Sequence, residues 1–385
     1  MEGEKLRWAS VGGPSQHFRQ LAELQPCNDL PPTNAEIAEL LSREASEASY
    51  VLQRAYRRAA RSAFLWEVEA RDLVAQKRPL TELAHIGPFL QKQIRQWIRQ
   101  KQHPPRPPPL RKEFLTLAES RLRLAKAASW ARRLRGDLQM HTNWSDGSGD
   151  IRAMADAAVA RGYEYIAITD HSKGLSIANG INEVKLKKQS AEIEAVNRQL
   201  RANSKNLTVL HSIEMNLNPL GEGDMEPAAL RSLDLVLGSF HSALRRKEDQ
   251  TERYLAALRN PDIQILGHPR GRIYNYRSGL RADWETVFHE ATRLDKAVEI
   301  DAYPDRQDLN LSLLKIAKRC GTRISMGTDA HHPWQFEFID LALAAALAAK
   351  IPPERTVNFM RLKELRAWIE KVRGAEARRT RTKTK

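Results

Sequence analysis

The chain has 385 residues, 42% of them apolar, enough to bury two cores. Its 62 Lys and Arg against 47 Asp and Glu leave a net +15, which favours a polyanionic partner. Two cysteines, Cys27 and Cys320, exclude a disulfide framework, and no run reads as a secretory signal or a membrane span, so a cytoplasmic protein without membrane attachment is expected.

In chain order, residues 1–32 lack periodicity and are expected to be disordered. A polar cap at Thr33 opens a helix, and a second covers 49–63 with Arg54, Tyr56, Arg57, Arg58 and Arg61 set among small residues. A Leu-Thr-Glu-Leu-Ala-His-Ile-Gly-Pro-Phe-Leu stretch over 80–90 follows, then a helix to about residue 99, which makes 33–100 an all-α unit. Segment 103–109 is rich in proline and reads as a stiff spacer, and 111–135 as an amphipathic basic helix, so 101–135 forms a linker. The charge is uneven: residues 1–136 carry 24 Lys or Arg against 14 Asp or Glu, and the tail from Glu376 carries five against one. The excess therefore lies outside 136–374. Tail 375–385 is basic, aperiodic and expected to be disordered.

Within 136–374, short branched runs at 165–169, 207–210, 233–238, 263–266, 297–300 and 322–326 read as buried strands. Between them 151–161, 183–200 and 284–294 are long enough for crossover helices, and apolar 341–349 reads as a helix facing the core. Alternating strand and helix predicts a parallel α/β sheet. Ligand-type residues follow the strands: His141, Asp146, Asp170 with His171, Glu214, His241, His268, then Asp329 and His331. Imidazole and carboxylate recurring at strand ends suit a barrel with a metal site at its carboxyl face. A helix-borne His-Glu-x-x-His motif is absent.

Taken in order, Asp137-Leu-Gln-Met-His141, Ile168-Thr-Asp-His171, Glu214, Ser239-Phe-His241, Gly267-His-Pro269 and Gly327-Thr-Asp-Ala-His331 resemble the successive motifs of the polymerase and histidinol phosphatase (PHP) domain. Gly136-Asp-Leu-Gln, Trp144-Ser-Asp-Gly147 and Val298-Glu-Ile-Asp301 are similar to the version fused to bacterial family X DNA polymerases. The resemblance implies a distorted seven-stranded TIM-like (β/α) barrel holding two to three divalent metals for phosphoester hydrolysis. It groups His141, Glu214 and Asp329 at one position, Glu214, His241 and His268 at a second across a bridging carboxylate, and Asp146, His171 and His331 at a third. His141, Glu214, His268 and Asp329 are the implied catalytic set. Gln139 stands where the family commonly has His, a weaker donor that leaves one metal less tightly held. Nitrogen and oxygen ligands without thiolate suit Zn, Mn or Fe about equally.

For His17, His103, His211 and His289 an ordinary structural role is the better reading, and His332 has no family counterpart. Asp170 reads as a helix cap or a ligand, Asp301 as a site-rim acceptor or a turn residue. Lys173, Arg270 and Arg272 follow ligand motifs and are candidates to clamp phosphate oxygens, ahead of Arg245 and Arg306. The unit 33–100 resembles the amino-terminal helical domain of family X polymerases, with Gly87 where a helix-hairpin-helix offers backbone N–H groups to DNA and Arg54, Arg57, Arg58 and Arg61 as further contacts. Ala84 and the Pro88-Phe89 pair depart from that motif, and a helical bundle with a solvated basic face is the alternative. No lysine there can be assigned a Schiff-base role. The linker leaves no room for a polymerase palm, so polymerisation is not expected.

The expectation is a metal-dependent phosphoesterase acting on DNA, as a 3′-to-5′ exonuclease or a 3′-end-processing enzyme in repair. The alternatives are a small-molecule phosphatase of the histidinol-phosphate type, and a DNA-binding adaptor weakened in catalysis by Gln139.

Overall fold

The computed structural model describes residues 30–383, with side chains to 375; the expectation for 1–32 therefore lies almost wholly outside the described residues, as do His17 and Cys27. Seven parallel strands follow one another in sheet order: β1 Gly136–Asp137, β2 Tyr165–Ile168, β3 Thr208–Asn216, β4 Leu235–Ser239, β5 Ile265–Leu266, β6 Ala297–Asp301 and β7 Arg323–Gly327. Chain beyond β1 then meets chain beyond β7: Asp329 N–H donates to the Gln139 carbonyl (3.1 Å) and His141 N–H to the Ala330 carbonyl (2.7 Å). The sheet thus closes into an α/β TIM-like barrel.

All six apolar runs became strands, because each is buried on both faces by helices and by its neighbours. The seventh strand, β1, has no apolar signature. It is held by close approach, since a Cβ on Gly136 would meet the Tyr165 carbonyl oxygen at 2.0 Å. The expected crossovers appear as helices Ile151–Ala160, Glu183–Ala202 and Trp284–Arg293. Asp150, Asn182 and Asp283 cap them by accepting backbone N–H groups.

The amino-terminal mouth of the barrel is plugged. Leu365, Trp368, Ile369 and Val372 of helix Leu362–Lys383 pack into a core with Leu138, Ala167, Leu210, Leu237, Ile265 and Ala297. That helix runs on through most of the segment expected to be a disordered tail; once docked by its apolar face, a stretch of Arg, Ala, Glu and Lys extends it at little cost. Trp368 is 4% exposed and donates its indole N–H to the Asp295 carbonyl at 2.9 Å. Trp368→Ala should therefore lower unfolding free energy by about 3–5 kcal/mol in a urea titration. A loss below about 1 kcal/mol would mean that the plug does not support the barrel.

The basic amino-terminal unit comprises α1 Asn34–Glu47, α2 Tyr50–Ser62, α3 Ala70–Ala75 and α4 Pro88–Arg99. The cap at Thr33 is a reciprocal capping box with Glu36. Its core of Ile37, Leu41, Tyr56, Leu73, Ile94 and Trp97 is completed from outside by Phe114 of the linker and Tyr274 of the barrel. The Tyr274 hydroxyl lies 2.9 Å from Ser42 Oγ, and Arg111 joins Glu39 (2.7 Å) to Asn275 (2.9 Å). The stretch 111–135 is not one helix: Glu113 turns the chain with a φ of 60°, Leu115 pairs through its backbone with the Gln307 amide, and the helix then begun at Leu117 breaks at Ala127 (φ −130°) into Leu117–Lys126 and Ala128–Ala131. Helix Ile339–Ala349 is buried along nearly its whole length, and among the described residues no helix is long and apolar enough to cross a membrane.

Candidate metal centre

Glu214, near the end of β3, is fully buried, and four imidazoles from four different strand ends converge on its carboxylate. Oε1 faces His268 Nε2 (2.5 Å) and His241 Nε2 (3.2 Å); Oε2 faces His171 Nδ1 (2.9 Å) and His141 Nε2 (3.5 Å). His141 Nε2 also meets Asp329 Oδ1 at 2.9 Å. Asp146 reaches in from the loop after β1, its Oδ1 lying 3.4 Å from His331 Nε2 and 3.6 Å from His171 Nε2. Asp329 takes the left-handed conformation (φ 53°), which Asp tolerates, and this places its carboxylate beside His141.

Charge balance explains the protonation pattern. Burial pushes the Glu214 carboxyl up, but His171, His268 and His241 together outweigh it and hold the group well below its usual range. Burial likewise works against protonated His268 and His331, yet Glu214 lifts the first to about 10, and Asp146 with Asp329 lifts the second to about 9. Asp146 falls to about 2 against its own burial, through the hydrogen bond from His331 and the nearby imidazoles. His141 moves the other way: burial lowers it, and His171, stacked at 4.2 Å, and His331 lower it further.

The donor set fits divalent cations. His171 Nδ1, Glu214 Oε2, His241 Nε2 and Asp329 Oδ2 are buried and close to partners, yet none makes an aligned hydrogen bond. Donor atoms of His141, Asp146, His171 and His331 all lie within 4.8 Å of one another, as do those of His171, Glu214 and His241. Atoms aimed at one point rather than at each other are placed for coordination. His171 belongs to both groups, a sharing that motif matching did not suggest. Neighbours position the ligands: Asn216 Oδ1 sits 3.1 Å from His241 Nδ1 and orients that ring, and Glu299 accepts the His268 backbone N–H at 2.8 Å and anchors its main chain.

Other predicted site residues lie elsewhere or do other work. Gln139 turns away from the cluster: its amide nitrogen donates to both Glu299 carboxylate oxygens (2.8 and 2.9 Å) beneath Gly327, where a Cβ would meet Glu299 at 2.4 Å. Asp170 neither caps a helix nor joins the donor group; it accepts from Thr142, Ser145 and Gln189 and ties the loop after β1 to β2. Lys173 pairs with Glu183 at 2.7 Å, and Arg270 donates to the Ser278 carbonyl. Arg272 is no phosphate clamp: it is buried, lies 3.8 Å over the Phe114 ring and donates to the carbonyls of Lys112, Glu113 and Arg306.

The cation at the site is instead Arg306, one-third exposed, whose Nη1 lies 2.9 Å from Asp329 Oδ2 and 3.9 Å from Asp301 Oδ2. Its place in the loop after β6 was the available signal, because the site histidines and aspartates all come from loops that follow strands. His211 is nearly buried and lowered by burial to about 4, a neutral core histidine, and His103 pairs with Glu36 at 2.7 Å. In the amino-terminal unit Gly87 caps α4 with extended backbone, and the element before its turn is only a three-residue 3-10 segment. Arg54, Arg57, Arg58 and Arg61 are all exposed along α2.

The PHP domain model matches residues 137–303. The DNA polymerase/3′-5′ exonuclease PolX of Bacillus subtilis is 34% identical over 239 residues, 62% of this chain and 41% of that protein, so this chain spans well under half its length. A protein described as a probable phosphatase of Photobacterium profundum is 30% identical over 187 residues, 46% of this chain and 70% of that protein. The crystal structure of histidinol phosphate phosphatase from Lactococcus lactis, complexed with zinc, L-histidinol and phosphate, covers 56% of this chain and 93% of its own at 18% identity; its TM-score of 0.40 supports no transfer of chemistry. The matched span holds His141, Asp146, His171, Glu214, His241 and His268, all at the carboxyl face of the barrel, and the chain belongs to the PHP domain family of phosphoesterases.

Proposed function

We propose that this protein is a metal-dependent phosphoesterase that removes nucleotides from DNA 3′ ends. The observation that carries the DNA assignment is the row of exposed arginines on α2, which forms no ion pair among the described residues although Arg78 of the same unit and Arg111 of the linker are paired. Unneutralised cations beside a phosphoesterase centre suit a polyanion. The similarity to the Bacillus subtilis polymerase/exonuclease supports the same reading.

Glu214, His141, His171, His241, His268, Asp329, Asp146 and His331 would hold the ions. When bound, divalent ions there would activate water at neutral pH and neutralise the leaving oxygen. The protein's own part is orientation. Glu299 and Asn216 hold His268 and His241 in place, and Arg306 offers a guanidinium to non-bridging phosphate oxygens at the mouth. In balance, water oxygen bonds to phosphorus, the bond from phosphorus to the 3′ oxygen breaks, and that oxygen takes up a proton.

The test is full-length protein with end-labelled DNA and, separately, histidinol phosphate, with and without Mn²⁺. Mn²⁺-dependent shortening from the 3′ end supports the reading. Intact DNA ends with hydrolysis of histidinol phosphate would replace it by the small-molecule reading, which the deep burial of Glu214 and His141 would accommodate. DNA binding without hydrolysis of either substrate would leave the adaptor.

A further inference from the structure

Arg54, Arg57, Arg58 and Arg61 line a cavity of about 740 Å³ whose opposite wall is Trp334 of the barrel, three residues beyond His331. Arg57 and Arg61 also line a second cavity of about 390 Å³, closed on the barrel side by Tyr274 and Tyr276. The two cavities therefore flank one cationic helix face. Arg54 with Arg58, and Arg57 with Arg61, are like charges four residues apart, which weakens a helix unless something anionic neutralises them.

The aromatic walls are unusually bare. Trp334 is 52% exposed and Tyr276 55%, so each leaves about half its surface uncovered. Their other contacts lead to the centre: Trp334 packs edge-on to Phe338 (5.2 Å), Phe338 to Tyr303 (5.3 Å) and Tyr303 to His331 (6.5 Å). Tyr276 carries Arg245, from the loop after His241, 4.6 Å over one face of its ring.

We propose that the trough between α2 and the barrel mouth is a track for single-stranded DNA, with phosphates along Arg54, Arg57, Arg58 and Arg61 and unpaired bases stacked on Trp334 and Tyr276. Alternating cations and free aromatic faces are what a single strand uses, since a duplex hides its base faces within its own stack. The centre is recessed, with Glu214 and His141 wholly buried, and an unpaired strand brings its phosphodiester there with less bulk than a duplex. The proposal rests on the DNA reading and adds the strand state and the residues that recognise it.

The test is fluorescence anisotropy of a short labelled oligothymidylate, and of a blunt duplex of equal length, with full-length protein in EDTA so that nothing is cut. Trp334→Ala should weaken single-strand binding about ten-fold, Trp334→Phe should restore most of it, and duplex binding should change less than about two-fold. Arg57→Ala with Arg61→Ala should reduce the slope of log affinity against log salt by about 1.4. Thermal melting checks folding; should Trp334→Ala not fold, Tyr276→Ala replaces it. Unchanged single-strand affinity in a folded aromatic variant, or equal weakening of both ligands, overturns the track. Binding that depends on Trp334 in a protein that releases no nucleotides with Mn²⁺ upholds the track and sinks the exonuclease reading. Exonuclease activity with unaltered binding by Trp334→Ala does the reverse.

Discussion

Glu214→Ala is expected to lower phosphoester hydrolysis by about 10³-fold and to remove more than one metal ion, because this carboxylate lies between four imidazoles drawn from both groups. His268 and His241 lie against one of its oxygens, His171 and His141 against the other. Removing the side chain separates the halves of the site and leaves four imidazoles with less negative charge between them. Elemental analysis after dialysis, beside kcat on a chromogenic phosphodiester, reads both effects. Loss of a single ion with activity near normal would show that Glu214 serves one position and that Asp329 or Asp146 holds the rest.

The affinity for each ion should rise about ten-fold for each pH unit over the neutral range, or roughly 100-fold from pH 6 to 8. In the metal-free site His268 and His331 carry protons up to about pH 10 and 9, and because they serve different ions each coordination event displaces one of them. The sign for stability is opposite. Both values lie above the ordinary histidine value of 6.5, so the stabilisation that these ion pairs give the metal-free fold is complete below that value. It is lost as pH rises through 9 and 10. Calorimetric titration with Mn²⁺ in two buffers of different ionisation enthalpy counts the protons released. Release of none would mean that the two imidazoles are already neutral before the ion arrives.

Most of the ligand set was legible because such residues sit immediately after strands, and strands announce themselves by short branched runs such as 165–168 and 297–301. The sharing of His171 was not legible, since it depends on where two loops cross in space. Gln139 and Arg272 show the same limit from the other side. Each stands beside a ligand motif in sequence, but the pleat points Gln139 at Glu299, and Phe114, far upstream, captures Arg272. Arg306 was ranked low for the complementary reason: its partner Asp329 comes from the next strand end and no spacing rule links them. The docking of the amino-terminal unit was invisible as well, because Tyr274 reads as a loop tyrosine until Ser42 and Phe64 surround it.

The plug at the amino-terminal mouth of the barrel has a consequence for how the chain is made. Leu138 and Tyr165 wait for Trp368 and Ile369, about two hundred residues later, and Ser42 waits for Tyr274, 232 positions on. Contacts of such high order close large loops before they repay the entropy, so this barrel should fold slowly for its size. A nascent chain that has emerged just past β7, as far as His331, would hold all its ligand residues while the bottom of its core stood open to water. Until helix Leu362–Lys383 arrives, that half-built barrel is a natural client for holding chaperones.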